Sequence, residues 1–162
     1  MTPQGIGSSF LAGLNFGSEI SLLGPLGRFV IDSADSAFTF IATGSGLGPL
    51  NSMVLDLLQV KQVKKPIILY WGLRFAEDLV WMEEFQELAQ AFSNFKFHPV
   101  LSQAPQEWPF CRGRVTDCLS VHQLLPDSGY YLCGNEQMVT GVSAQLSTLG
   151  VKSEKIHHEK FY

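Results

Sequence analysis

Between a short apolar run and an amphipathic stretch lies Thr43-Gly44-Ser45-Gly46-Leu47-Gly48-Pro49. Glycines at this spacing let a backbone turn tightly and approach a ligand without Cβ clashes. The start of a following helix offers unpaired N–H groups to an anion. Pro49 suits the first helical position, where its missing N–H costs nothing. The bland alternative is an ordinary strand-to-helix turn; with both flanks correct, phosphate binding is the better reading. Ser45 is not a hydrolase nucleophile, because Thr43 and Leu47 occupy the glycine positions of a nucleophile elbow. Ser93 and Lys96 match a β-lactamase string only by letters. Cys111, Cys118 and His122 hint at zinc, but no C-x-x-C pair accompanies them and a fourth ligand is missing, so no metal is expected. A plant-type iron–sulfur centre needs four spaced cysteines, which the three of this chain exclude. Cys133 alone reads as a buried core thiol, a common fate of free Cys.

The elements that would hold these residues alternate along the chain. Residues 38–42, 67–71, 95–101 and 130–133 are short, apolar and rich in aromatic or β-branched side chains, as buried strands of a parallel sheet are. Between them run helical stripes: Leu50, Met53, Val54, Leu57 and Leu58; then Trp81, Phe85, Leu88, Ala89 and Phe92; then Val139, Val142, Leu146 and Leu149. A weaker helix spans 115–125, and Gly150 sits where a helix C-terminal cap belongs. This alternation predicts right-handed βαβ units in a doubly wound α/β fold with a parallel sheet of about five strands. Residues 1–36 differ. They are glycine-rich and carry short strand-like runs at 20–23 and 29–31, so two regions are expected: 1–36 and 37–162.

Composition narrows the function classes. The 162 residues include 46% hydrophobic side chains and only 16% charged ones, which favours a sizeable core over disorder. A net charge of −4 leaves no basic footprint for nucleic acid or an anionic membrane. No apolar run reaches membrane-spanning length, and no secretory signal is expected, since the first basic residue is Arg28. Three cysteines, an odd number, suggest reduced thiols and a cytoplasmic protein.

The glycine loop departs from the usual dinucleotide fingerprint, since its third Gly comes one position early and the second strand ends Tyr70-Trp71-Gly72 with no acid. Those departures carry a resemblance to the ferredoxin–NADP reductase superfamily, in particular its flavin reductases. Residues 41–49 resemble that family's T-G-T-G-I-A-P nucleotide loop. Leu69-Tyr70-Trp71-Gly72-Leu73-Arg74, with Glu77-Asp78-Leu79 after it, is similar to its second-strand signature. Gly113-Arg114-Val115-Thr116-Asp117 matches G-R-V-T-D, and Tyr131-Leu132-Cys133-Gly134-Asn135-Glu136-Gln137-Met138-Val139 resembles Y-L-C-G-P-P-x-M-[IV]. Glu159-Lys160-Phe161-Tyr162 resembles the acidic-plus-aromatic C-terminus. Order and spacing agree over roughly residues 36–162.

Upstream, Gly5-Ile6-Gly7-Ser8-Ser9-Phe10-Leu11 resembles the segment that touches the FAD pyrophosphate, and residues 24–29 resemble the turn ending the flavin barrel. The earlier R-x-Y-S motif is absent. Residues 1–36 therefore read as the C-terminal β remnant of an FAD-binding barrel, and 37–162 as an NAD(P)-binding domain.

The resemblance implies roles. Residues 43–49 would hold the pyrophosphate. Gly72, Arg74, Ser102 and Gln103 would border the adenosine half, with Arg74 equally readable as a solvated turn residue. Gln103 stands where the family often has Arg for a 2′-phosphate, so NADH is favoured over NADPH unless Arg74 or Arg112 compensates. Cys133 and Glu159 would flank the reacting nicotinamide carbon, supported by Gly134, Asn135 and Met138. Gly5, Gly7 and Ser8 would touch FAD, and Phe161 or Tyr162 would cover its ring. His157 and His158 read as a solvated stretch, Trp71 and Trp81 as plain core. The implied function is hydride transfer from NAD(P)H to FAD in the full-length enzyme, with electrons passing to an iron–sulfur protein or oxygenase. The alternative is a nucleotide-binding module without turnover. An exposed barrel edge would also favour a homodimer.

Overall fold

A computed structural model describes residues 5–24, 26–125 and 127–161. Six strands form one all-parallel sheet: β1 (Ala37–Thr43), β2 (Ile67–Leu73), β3 (Phe95–Leu101), β4 (Cys111–Arg112), β5 (Ser128–Asn135) and β6 (Ile156–Phe161), in the order β4-β3-β2-β1-β5-β6. β1, β2 and β5 are buried along almost their whole length, because helices cover both sheet faces. Side chains alternate: Phe38, Phe40 and Ala42 join one core with α2 (Leu47–Leu55) and Phe85 of α3 (Met82–Ala91). Ile41, Tyr70 and Leu132 join the other with α4 (Val115–Ser120) and α5 (Glu136–Thr148). The chain runs outward from β1 to β4, then returns to β5 on the other side of β1. The loops after β1 and β5 thus diverge to opposite faces and leave a crevice at the C-terminal edge, the usual ligand position in such sheets.

The sequence expectation of about five strands becomes six. β4 is a two-residue strand, and β6, Ile-His-His-Glu-Lys-Phe, is an edge strand too polar to read as a buried one. The expected helix at 115–125 ends at Ser120. Pro49 is the third helical residue rather than the first, since a 3₁₀ turn at Gly44–Gly46 runs straight into α2; its absent N–H still falls among those with no intrahelical partner. Gly150, at φ 85°, does close α5. Its N–H reaches Ser147 O at 3.0 Å and the Val151 N–H reaches Leu146 O at 3.0 Å, a Schellman pair.

The strand-like runs at 20–23 and 29–31 form no strand. Among the described residues before β1 the regular element is a short helix, α1 (Ile6–Ala12), none of it buried. Strands need partners, and the sheet presents none there: Leu22 and Leu23 stay exposed, while Phe29 and Ile31 lie against the core. The entry to β1 is clamped instead. Asp35, wholly buried, takes an ion pair from Lys155 at 2.6 Å and a hydrogen bond from the Tyr131 hydroxyl at 2.6 Å. The Lys65 ammonium caps the Asp35 carbonyl at 2.6 Å, and the Asp32 N–H donates to the Tyr131 oxygen at 2.9 Å. The Tyr131 phenol is pushed up by burial and then by that carboxylate, so it stays a proton donor.

Candidate functional site

The crevice opens into a cavity of about 950 Å³, within the range of cofactor sites. Every strand from β1 to β5 delivers its C-terminal end or following loop there: Thr43, Gly72, Ser102, Gly113 and Asn135 all line it.

Its centre is a glycine cradle. Gly44 adopts φ 53°, a left-handed conformation natural to glycine, and its carbonyl accepts from the Trp71 indole at 3.1 Å. Gly46 is pressed against the last turn of β5: an added Cβ would overlap the Cys133 carbonyl and stand 2.7 Å from Gly134 Cα. The start of α2 therefore lies directly on β5, and no side chain caps its N-terminus. Gly134, at φ 148°, is packed equally closely on Thr43, whose hydroxyl accepts from the Asn135 amide at 3.3 Å. Asn135 in turn caps α5, taking the Met138 N–H at 2.8 Å. Two helix starts thus meet over one cavity, that of α2 free of side-chain caps. Unpaired N–H groups with the positive end of a helix dipole suit a phosphate.

The walls supply the rest. Arg74 and Arg114 place cations on the lining and Asp78 an anion. Trp81, 39% exposed, stands beside Trp71 with ring centres 6.4 Å apart. A planar heterocycle fits such a wall. Gly72 keeps β2 close to its neighbours, since a Cβ there would stand 2.7 Å from Val115 Cγ1. The cavity therefore fits a dinucleotide: the N–H groups that open the 3₁₀ turn at Gly44–Gly46, which no side chain caps, for its diphosphate, cations beside them and aromatic surface for its base.

Of the residues expected from sequence, Thr43, Gly44, Ser45, Leu47, Gly48, Gly72, Arg74, Ser102, Asn135 and Met138 line this cavity. Gly46 and Gly134 shape it from behind. Pro49 and Gln103 lie outside the lining; the Gln103 N–H is tied to Arg74 O at 3.0 Å. Arg112 does not compensate for it, because its guanidinium binds Gln106 O at 2.7 Å and Trp108 O at 3.0 Å. Cys133 is fully buried, and burial, with Glu159 nearby, pushes its thiol up to about 11. It is a neutral thiol below the crevice floor. Glu159, exposed, pairs with Cys133 across β5 and β6, and Phe161 pairs with Asn135. Gly5, Gly7 and Ser8 belong to α1 and its cap, apart from the cavity lining. Tyr162 lies outside the described residues.

Trp81 is corrected from core to cavity wall, and His157 from solvated stretch to a ring stacked on Tyr131 at 4.7 Å. The residues missed are Trp71, Leu73, Asp78, Val80, Gln137, Gly141 and 113–116. The G-R-V-T-D match was the signal for the last group. Its Gly113 takes φ 90°, and the Arg114 N–H donates to Asp117 Oδ2 at 2.6 Å, so the turn is built to expose its backbone.

The cysteines depart from the reduced state expected of them. Cys111 and Cys118 form a disulfide between β4 and α4, which brings together residues whose spacing alone suggested no site. His122 packs beside them, 4.3 Å from the ring of His98, whose pKa burial pushes down to about 4. Among the described residues Cys133 is the free thiol.

Comparison with known proteins gives a consistent picture. Residues 40–144 match the family described as oxidoreductase NAD-binding domain. The chain is 31% identical over 166 residues to one component of the Na(+)-translocating NADH-quinone reductase of Shewanella denitrificans, covering 98% of this chain and 41% of that protein. The Neisseria meningitidis counterpart matches with the same identity and coverage. The chain thus spans about two fifths of the length of these curated relatives. Among solved structures, an Amycolatopsis cytochrome P450 reductase is 30% identical with TM-score 0.75, covering 85% of this chain and 42% of that one. The cytochrome b5 reductase domain of Ulva prolifera nitrate reductase shares the fold at TM-score 0.85 and 21% identity, covering 96% and 64%. A Neisseria gonorrhoeae ferredoxin NADP+ reductase with bound FAD and NADP does so at TM-score 0.67 and 22% identity, covering 80% and 58%.

Proposed function

The chain belongs to the ferredoxin reductase family of flavin oxidoreductases, as an oxidoreductase NAD-binding domain, and we propose on that footing that it binds NADH and presents it to a flavin held by a separate domain. The observation that carries this reading is the glycine cradle, with Gly46 pressed on β5 at the foot of an uncapped helix start, opening on a cavity large enough for a dinucleotide.

In this reading the backbone at 44–48 holds the diphosphate, and Arg74 and Arg114 add charge beside it. Trp81 and Val80 shelter the base. The nicotinamide lies over the end of β5, where Cys133 stays small, neutral and below it. Glu159, paired with Cys133 in the register of β5 and β6, is assigned the role of biasing the ring's orientation from the side. The bound cofactor supplies the hydride; the chain supplies position, and positioning is a large part of what such domains contribute to rate. NADH is favoured over NADPH because Asp78 shares the lining with the two arginines and Ser102 is neutral. A 2′-phosphate would meet an acid as well as cations.

The flavin itself does not fit these residues alone. Gly5, Gly7 and Ser8 lie on an exposed short helix, and no strand of a barrel forms among the described residues before β1. The reading therefore assigns FAD to a flavin domain that completes the enzyme, and the final acceptor to an iron–sulfur protein or oxygenase. The names of the relatives support electron transfer of this kind, to a quinone in one and a cytochrome P450 in another. The second reading, a nucleotide-binding module without turnover, rests on the same exposed segment. Calorimetric titration with NADH and NADPH tests the nucleotide site, with NADH expected to bind more tightly; the absence of binding by either would refute it. Flavin absorption in the purified chain decides between the two readings, a colourless protein supporting the module.

A further inference from the structure

On the sheet face opposite Cys133, two cysteines and a histidine converge from β4, α4 and the turn after α4. One donor atom each from Cys111, Cys118 and His122 lies within 4.8 Å of the others. None of the three lines the nucleotide cavity, so the proposed function gives them no work. Cys118 is buried, whereas Cys111 and His122 are half-buried and open the cluster to solvent on one side. We propose that this cluster, with its disulfide reduced, is a binding site for a thiolate-seeking divalent cation, zinc above all, and that the disulfide is its oxidised, metal-free form.

The spacing suits the ion. Zinc binds thiolate sulfur at about 2.3 Å and imidazole nitrogen at about 2.0–2.1 Å, which at the tetrahedral angle sets sulfur and nitrogen about 3.6 Å apart. Cys118 Sγ and His122 Nδ1 stand 3.8 Å apart. Two thiolates on one zinc are separated by about 3.8 Å, so the sulfurs must part when their bond opens. Cys111 can supply that movement, since it is half-buried on a strand of only two residues. His122 Nδ1 also lies 2.8 Å from Cys118 O. Binding replaces that contact with a bond to the ion and leaves the ring proton on Nε2. Two sulfurs and one imidazole select zinc or a similar ion over magnesium or calcium, which prefer oxygen. Water takes the fourth position from the solvent side.

The chemistry balances with a low-molecular-weight thiol as reductant. Two molecules of that thiol give two electrons and two protons to the Cys111–Cys118 bond, yielding two cysteine thiols and one external disulfide. Zinc then displaces a proton from each thiol, so two protons leave as the ion enters. In reverse, an external disulfide oxidises the two thiolates, restores the Cys111–Cys118 bond and releases the ion.

The test uses the full chain, reduced anaerobically with a phosphine, freed of it by gel filtration and titrated with Co²⁺. We expect a thiolate-to-cobalt charge-transfer absorption that saturates at one ion per chain and disappears when zinc is added. The oxidised chain should show none. Cys111→Ser and Cys118→Ser should each remove most of it, and His122→Ala should weaken binding at least about tenfold. Cys133→Ser should retain it. Should Cys118→Ser disturb the core, Cys111→Ser, at a half-buried position, carries the test with the reduced wild type. The proposal is overturned if the reduced wild type gives no absorption, if Cys111→Ser retains it undiminished, or if Cys133→Ser abolishes it.

Discussion

Replacing Gly46 by alanine adds one methyl group and tests the cradle directly. Its Cβ would overlap the Cys133 carbonyl and stand 2.7 Å from Gly134 Cα. Ordinary carbon contacts begin near 3.5 Å, so the start of α2 must retreat by roughly 1 Å. Both obstacles are backbone atoms of β5, in the middle of the sheet, and cannot rotate aside. An N–H···O bond of about 2.9 Å from the loop to a bound phosphate would stretch to about 3.9 Å, beyond useful range. A lost hydrogen bond to a charged group is worth about 1.5–3 kcal/mol. At about 1.4 kcal/mol per factor of ten, NADH affinity should fall by roughly 10- to 150-fold. Overpacking should also lower stability by about 1–3 kcal/mol, or about 2–12 °C in Tm for a chain of this size. Calorimetric titration and a circular-dichroism melt read the two effects. A variant that binds NADH within twofold of the wild type, with an unchanged Tm, would refute the cradle geometry.

Asp35→Asn should destabilise the fold by about 3 kcal/mol, the lower end for a broken buried pair because Lys155 retains some solvent; urea denaturation measures it. The Cys133 thiol, held at about 11, should resist alkylation by iodoacetamide at pH 8 in the folded chain and react readily once unfolded; mass spectrometry reads the label. The raised pKa favours folding fully below about pH 9, and that contribution fades as pH rises through about 11, so Cys133→Ser should flatten alkaline melting curves between those values. NADH should quench tryptophan fluorescence through the cavity wall, and Trp81→Ala should remove a large part of that quenching while Trp108, outside the lining, continues to emit.

Periodicity made the sheet and its helices legible. Phe38, Phe40 and Ala42 against Ile41 is the alternation of a strand covered on both faces, and all four apolar runs became strands. β6 escaped because an edge strand needs burial on fewer sides, and His157, His158 and Glu159 carry no apolar signal. The runs at 20–23 and 29–31 misled for the opposite reason: β-type residues without neighbours form no ladder. At the site, the glycine loop was readable because close approach leaves glycine little alternative. Trp81 was not, since a tryptophan at helical spacing looks the same whether it faces a core or a cavity. The disulfide was unreadable in principle. It depends on β4 lying beside β3 and delivering Cys111 to α4, a tertiary fact that no spacing of seven residues encodes.

The Asp35 clamp also fixes a direction of approach. It ties the entries to β1 and β6 to the middle of β5, whereas the dinucleotide crevice lies where the strands finish. Seven residues of strand at about 3.3 Å each put roughly 23 Å between the two ends. Phe29 and Ile31 lie against the core beside that clamp, so the chain enters β1 from the end of the sheet remote from the crevice.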